Sequence, residues 1–443
     1  MASTYLTWTP SGAGNRKTWT YSGWLKKEKA DTAMVLLGCN NSYSTGTSGS
    51  IAFHNSSYFH TYAMNGISSN VGYWGTTRLF RDTNAWYHIV VAMDTTQATT
   101  TDRQKLWING VQETSFAYPN YPTQNYDCPF NDGTVFQIGG DALNGVHFDG
   151  VMSHVHFCDG TAYDASAFGE YDSNGVWKIK TSPSVTYGTN GFFILKDGNS
   201  VTDQSPNTNN FTVAGGTLTN TEDSPSNVFA TLNPLAKMST STLSHGNTTE
   251  AKSNGKGGVV STLAVNSGKY YCEVKINAVG VDPQIGIYAV GGSSKGYPTS
   301  YLGNSYDQAP SMGWLVNAAY AIGYNASNSG SVGSAFDVGD IMMIALDMDN
   351  SKIWWGKNGT WFNSGDPANG TNAQFTNVNS DYHAFATGSN ASNESGNYSF
   401  NFGNGYFGTT AVASAGTNAS GIGIFEYDVP TGYTALCTKG LNL

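Results

Sequence analysis

The most legible pattern of apolar and polar positions runs from Gly339 to Phe362. Ile341 to Leu346 is an unbroken apolar run of strand length, opened by Gly339-Asp340 and too short for a helix. Such a run suits a strand buried on both faces. Asp349-Asn350 and Asn358-Gly359 supply residues that tolerate positive φ, so two tight turns and three successive strands are expected. Ile353-Trp354-Trp355 lies between the turns, and alternation predicts that at least one of the two tryptophans is core. Earlier in the chain, residues 15–25 alternate polar and bulky side chains, which predicts a strand of a half-buried sheet. Trp86 to Asp94 and Lys105 to Val111 predict two more, the second running into an Asn109-Gly110 turn. Phe136 to Gly140, Phe148 to Phe157, Tyr187 to Leu195 and Asn210 to Val213 continue the series. A helical turn is expected only around Asp164 to Phe168. Asp223-Ser224-Pro225 and Asn233-Pro234 stop regular structure and mark a linker.

Composition strengthens this picture. Charged residues make up 12% of the 443 and aromatics 13%, with 53 glycines between them. Short aromatic strands joined by Gly, Asn and Ser turns indicate an all-β chain of two antiparallel β-sandwich (jelly-roll) domains in tandem. The net charge of -10 and the absence of a Lys/Arg cluster argue against a nucleic-acid partner. No apolar stretch reaches the roughly 20 residues that span a bilayer, and the N-terminus lacks a secretion-signal pattern, so no membrane insertion is expected. Cys39, Cys128, Cys158, Cys272 and Cys437 are far apart and odd in number, which predicts buried free thiols.

Family resemblances follow from particular strings. The order Gly-Asp, apolar strand, Leu-Asp-Met-Asp, Trp-Trp-Gly-Lys-Asn-Gly resembles the central hairpin of SPRY domains, and flanking segments resemble other SPRY strands. These are Ser267 to Val274, Ile285-Gly286-Ile287, Tyr398 to Gly403 and Pro430 to Tyr433. "WYHIVVAMDTT" with "KLWINGVQ" resembles laminin-G-like or concanavalin A-like jelly rolls, and Phe136 to Gly140 and Phe148 to Phe157 match that family's next strands. The expected organisation is a lectin-like domain over 1–216, a linker over 217–240 and a SPRY-like domain over 241–443, with the strands near 192 and 212 returning to pair near the start of the chain. "FGEYDSNGVW", "YGTNGFF" and "DSPSNVFATLNPL" resemble structural proteins of marine tailed bacteriophages. That resemblance implies a virion-surface protein made in the bacterial host cytoplasm, as appendage, fibre or capsid decoration. The first strand begins almost at Met1, with no heptad stem, so attachment through a folded face is expected.

Retaining glycoside hydrolysis needs two carboxyl groups about 5 to 5.5 Å apart. The laminarinase branch places them as Glu-x-Asp-x-x-Glu, and the nearest string here, Glu170 to Gly175, ends in glycine. Glu170 and Asp172 therefore read as residues of a polar turn, and no enzymatic activity is expected. His154 and His156 lie two apart on a predicted strand, with His147 nearby; a polar outer sheet face explains them more simply than a metal. No cofactor is expected, and calcium, which laminin-G-like domains can hold, is not derivable from the residues. No Gly-x-Ser-x-Gly elbow or phosphate-cradling loop leads into a helix.

Binding is the remaining class. Sugar faces stack on aromatic rings while polar side chains bond the hydroxyls, so exposed aromatic loops are the candidates. In the first domain these are Tyr58-Phe59-His60, Tyr73 and Trp74, and the loop AYPNYPTQNY, whose prolines are expected to present Tyr118, Tyr121 and Tyr126. In the second they are Tyr297, Tyr301, Tyr306, Tyr320 and Tyr324. The expected partners are a host-surface glycan and other phage virion proteins, in a homo-oligomer whose repeated weak sites act together. A purely structural decoration protein without sugar binding is the alternative, and a glycan-cleaving enzyme the third reading.

Overall fold

The computed structural model describes residues 4–42, 47–65, 70–141, 145–196, 200–291, 296–303 and 310–442. It is all-β, with helix limited to single 3-10 turns. Two compact units divide between Asn220 and Thr221.

The first unit packs an eight-stranded antiparallel sheet on a six-stranded one. The eight strands run in the order Phe116–Pro119, Asn70–Leu79, Tyr58–Asn65, Thr47–Phe53, Met34–Ser42, Phe136–Ile138, Tyr5–Trp8 and Thr212–Gly215. The last pairing returns the chain to its own start, as the sequence predicts, whereas Phe192–Ile194, expected there as well, pairs with Gly150–Asp159 at the edge of the other sheet. The six strands are Phe192–Ile194, Gly150–Asp159, Thr18–Lys27, Trp86–Asp94, Gln104–Ile108 and Val111–Glu113. Trp19, Tyr21, Ile89, Val91, Phe157 and Leu106 interdigitate with Phe53, Phe59, Trp74 and Phe136 between the sheets. Each large aliphatic or aromatic side chain so removed from water contributes roughly 1.5–3 kcal/mol.

The expectation of a half-buried strand near residues 15–25 is corrected. Thr18–Lys27 is buried on both faces, because a segment carrying Phe168, Trp177 and Tyr187 covers the outer side and forms a second core with Val90, Cys158 and Phe193. Within it lies the expected helical turn, Ala165–Ala167, whose N-cap Asp164 accepts a hydrogen bond from the Ser166 amide. The polar face expected for His154 and His156 is corrected too. A register shift between Ser153 and His156 and a φ of 49° at His154 break the alternation. Both histidines are buried, with His156 stacked on Phe193 at 3.9 Å and bonded to the Tyr187 hydroxyl.

The second unit stacks a seven-stranded sheet (Leu232–Lys237, Val259–Ser261, His383–Ser389, Pro283–Ala289, Ser311–Leu315, Ala321–Gly323, Ser327–Asn328) on an eight-stranded one. The latter runs Ser241–Ser244, Thr249–Lys252, Asn397–Asn401, Lys269–Ala278, Ile341–Asp347, Lys352–Lys357 and Thr360–Trp361, with Thr434–Ala435 joined in parallel to Lys269–Ala278. Part of the stretch expected as linker is therefore structural. Phe229 and Ala230 are core, and Leu232–Lys237 is an edge strand whose Pro234 donates no hydrogen bond.

Ile341–Asp347 is buried on both faces, as its apolar run predicts. Trp355 faces the inter-sheet core, where its indole donates to the Ile285 carbonyl. Trp354 points the other way and is equally buried, donating to Thr371, because the chain from Phe425 to Cys437 folds over that face. Asn358-Gly359 forms the expected two-residue turn, with φ of 48° and 84° and Lys357 opposite Thr360. The first turn differs. Asp347 pairs with Lys352, so four residues connect the strands, and the positive φ falls at Ser351. All five cysteines are buried and unpaired.

Candidate functional site

Three adjacent strands at one edge of the first unit's eight-stranded sheet bring the predicted aromatics together. Alternation along Tyr58–Asn65 puts Tyr58, His60 and Tyr62 on the solvent side and Phe59 in the core. On Asn70–Leu79, Tyr73 joins the solvent side and Trp74 the core, 3% exposed. Phe116–Pro119 adds Tyr118, 51% exposed, while Phe116 turns inward to stack on Trp74 at 3.7 Å.

The outward rings form a connected face. Tyr73 and Tyr118 lie 5.6 Å apart between centroids, Tyr58 and Tyr118 6.1 Å, and His60 and Tyr73 5.8 Å. His54 stacks on Tyr58 at 4.3 Å. The Tyr58 and Tyr73 hydroxyls share a 2.7 Å hydrogen bond. Gly75 lies beneath: a β-carbon there would stand 3.0 Å from the Tyr118 ring and 3.1 Å from the Tyr58 ring. Burial and the bond from Tyr73 push the Tyr58 phenol up. Burial, with His54 beside it, lowers His60 to about 4, so its ring is neutral at neutral pH. The His60 Nδ1 is buried without a hydrogen-bond partner.

The other predicted residues divide. Trp74 is core, and Tyr121 and Tyr126 pack against that core instead of being presented by the prolines. In the second unit Tyr297 packs against Val260, Tyr288 and Leu302, while Tyr301, Tyr320 and Tyr324 are half-buried. Tyr306 lies outside the described residues. The sequence reading missed His54, Tyr62 and Gly75; the spacing Tyr58-x-His60-x-Tyr62 is the period-two signal that identifies the shared face.

A second feature of the first unit is a cleft of about 390 Å³ lined by Trp107, Asp164, Glu170, Tyr171, Trp177 and Lys180. Its floor is fixed by a neutral histidine. The Trp177 indole donates to His88 Nδ1 at 3.0 Å, which leaves Nε2 to donate to the Ser22 hydroxyl, and burial lowers His88 to about 3. Glu170 lies on a short strand, Gly169–Tyr171, and not in a loop. Asp172 is a turn residue as expected, its carboxylate accepting from the Asn174 and Val176 amides. Asp164 is occupied as the N-cap. Among the described residues no three His, Cys, Asp or Glu side chains converge as metal ligands, and no helix is long and apolar enough to cross a membrane.

Residues 1–165 match a laminin G-type family model described as the concanavalin A-like lectin/glucanases superfamily. This match lies within the first unit. Among solved structures the chain is similar to the SPRY domain of human HERC1, at 18% identity over 38% of this chain and 96% of that one, with a TM-score of 0.30. It is similar to the native heptameric SAP-like pentraxin of Limulus polyphemus at 16% identity, over 37% of this chain and 72% of that one, TM-score 0.27. The TRIM65 PSpry domain gives 10% identity, 39% and 91% coverage and a TM-score of 0.29. No curated protein matches.

Proposed function

We propose that this chain is a non-enzymatic binding protein of a tailed-phage virion surface, and that its lectin-like unit adheres to host-surface glycan through the Tyr58-Tyr73-Tyr118 face. The observation that supports it most is the joining of three tyrosines on the solvent side of one sheet, over a glycine that leaves their rings room. Aromatic faces attract the C–H faces of sugars, and phenol hydroxyls serve as donors and acceptors for sugar hydroxyls. A rigid strand platform also loses little side-chain entropy on binding. Against an enzyme, Asp164 and Asp172 have their carboxylates engaged in caps and turns. Virion origin is supported by the phage-like strings around Glu170, Tyr187 and Asp223, and repeated copies would multiply a weak site. The second unit, read as SPRY-type, docks on other virion proteins.

A structural decoration protein is the second reading. It is favoured by the apolar rim beside the edge strand Val111–Glu113, where Val111, Tyr171 and Val176 are 55%, 53% and 59% exposed. A glycan array probed with the assembled protein and with Tyr118→Ala separates the two. Adhesion predicts that binding to at least one glycan falls tenfold or more in the variant. Equal binding by both proteins, or none by either, refutes the tyrosine face as the adhesive site.

A further inference from the structure

A cavity of about 550 Å³ opens among loops at the far side of the lectin-like unit, lined by Trp8, Thr9, Ser11, Thr189, Asn207 and Asn209. Its strand, Tyr5–Trp8, lies four positions across the sheet from Tyr58–Asn65, or roughly 19 Å at the usual strand spacing. The cavity is thus separate from the tyrosine face.

Its walls are held rigidly and offer a particular chemistry. Asn207 Nδ2 donates to the Gly188 and Gly191 carbonyls, and Asn209 Nδ2 donates to Thr189 and Gly191. With both amide hydrogens of each so engaged, the polar atoms they retain are Oδ1 acceptors. Two buried carboxylates fix the loops behind them. Asp159 accepts from the Asn15 and Asn190 amides and from Asn131 Nδ2. Asp203 accepts from the Phe193, Ser205 and Asn209 amides. Thr9, Ser11 and Thr189 add hydroxyls at the exposed rim. Trp8 packs on Phe136, Phe192 and Phe211 yet remains partly exposed, giving the cavity one aromatic wall. No Lys, Arg, Asp or Glu is among the lining residues.

Acceptor amides, hydroxyls and one indole, without a charged group, select a ring that carries several O–H donors and no net charge. We propose that this cavity is a second binding site, which takes one neutral sugar unit with its C–H face on Trp8 and its hydroxyls on Asn207 and Asn209 Oδ1. The proposal rests on reading the first unit as a sugar-binding module, and it names the class of sugar at a place of its own. Anionic sugars are disfavoured because their carboxylate would lose water without gaining a cation.

The test is saturation-transfer NMR on the full chain with the methyl glycosides of glucose, galactose, mannose and N-acetylglucosamine, and methyl glucuronide as the charged control. Ser11 is exposed at the rim, so Ser11→Trp fills the opening without touching the core. At about 10 mM ligand, enough to populate a millimolar site, at least one neutral glycoside should bind the wild type and Tyr118→Ala alike. That binding should fall tenfold or more in Ser11→Trp, and methyl glucuronide should bind at least tenfold more weakly. Absence of neutral glycoside binding, or binding that survives Ser11→Trp, overturns the proposal. Loss of array binding in Tyr118→Ala is read separately, so a failure here leaves the tyrosine face standing.

Discussion

Gly75 is the residue on which the tyrosine face depends. Its missing β-carbon is the space that the Tyr58 and Tyr118 rings occupy. Gly75→Ala should push both rings aside by a few tenths of an ångström and reduce glycan binding at least threefold. Thermal stability should change by only about 1 kcal/mol, since strands tolerate alanine better than glycine. Parallel binding and melting curves check this, and a variant that binds like the wild type contradicts it. At this scale the sequence was half legible. Tyr73 and Tyr118 stood out as aromatics in polar surroundings. Trp74, Tyr121 and Tyr126 looked the same, yet Trp74 belongs to the core and Tyr121 and Tyr126 pack against it, because the side a ring takes depends on strand register, and a register shift separates Phe116 from Tyr118.

Among the elements, the hairpins were the most legible and the bulges the least. Asn358-Gly359 announces its turn because a two-residue loop of this hand needs positive φ at both positions. Gly359 has a φ of 84°, and a β-carbon there would stand 3.1 Å from the Tyr427 ring. Gly359→Ala should therefore destabilise the second unit by about 1–2 kcal/mol, read as a lower denaturant midpoint; an unchanged midpoint would count against the turn. The bulge at His154 left no mark of its own in the sequence, so the two histidines read as an outer face. The covering of Trp354 was equally hidden. It depends on Glu273, whose carboxyl accepts from the Glu426 and Tyr427 amides and from the Tyr271 hydroxyl, an arrangement between residues about 150 positions apart.

Across the whole molecule, fold class was legible from composition and alternation, and the division between units at Asn220 and Thr221 falls inside the expected linker; what the sequence hid is strand Leu232–Lys237, whose Pro234 reads as a break. The two units also carry buried groups of opposite pH sense. His88 is lowered from 6.5 to about 3, so below pH 6.5 the unfolded chain binds a proton that the native unit refuses, and stability falls with pH. Burial raises Glu273 from 4.5 to about 7 against the Glu426 and Tyr427 amides, the Tyr271 hydroxyl and the Asn401 side-chain amide, so its contribution is complete below 4.5 and is lost as pH rises through 7. Between pH 8 and pH 5 calorimetry should show His88→Gln recovering about 2 kcal/mol relative to the wild type, and Glu273→Gln losing about 2–3 kcal/mol relative to it. Deficits independent of pH would contradict both assignments. The proposed function stands on sugar being held on the solvent face of Tyr58, Tyr73 and Tyr118. Titrating host-surface polysaccharide into protein with carbon-labelled tyrosine rings, followed by NMR, tests it most directly. The ring signals of Tyr58, Tyr73 and Tyr118 should shift together while those of buried Tyr21 and Tyr271 stay in place; saturating polysaccharide that leaves the three unmoved would refute sugar binding at this face.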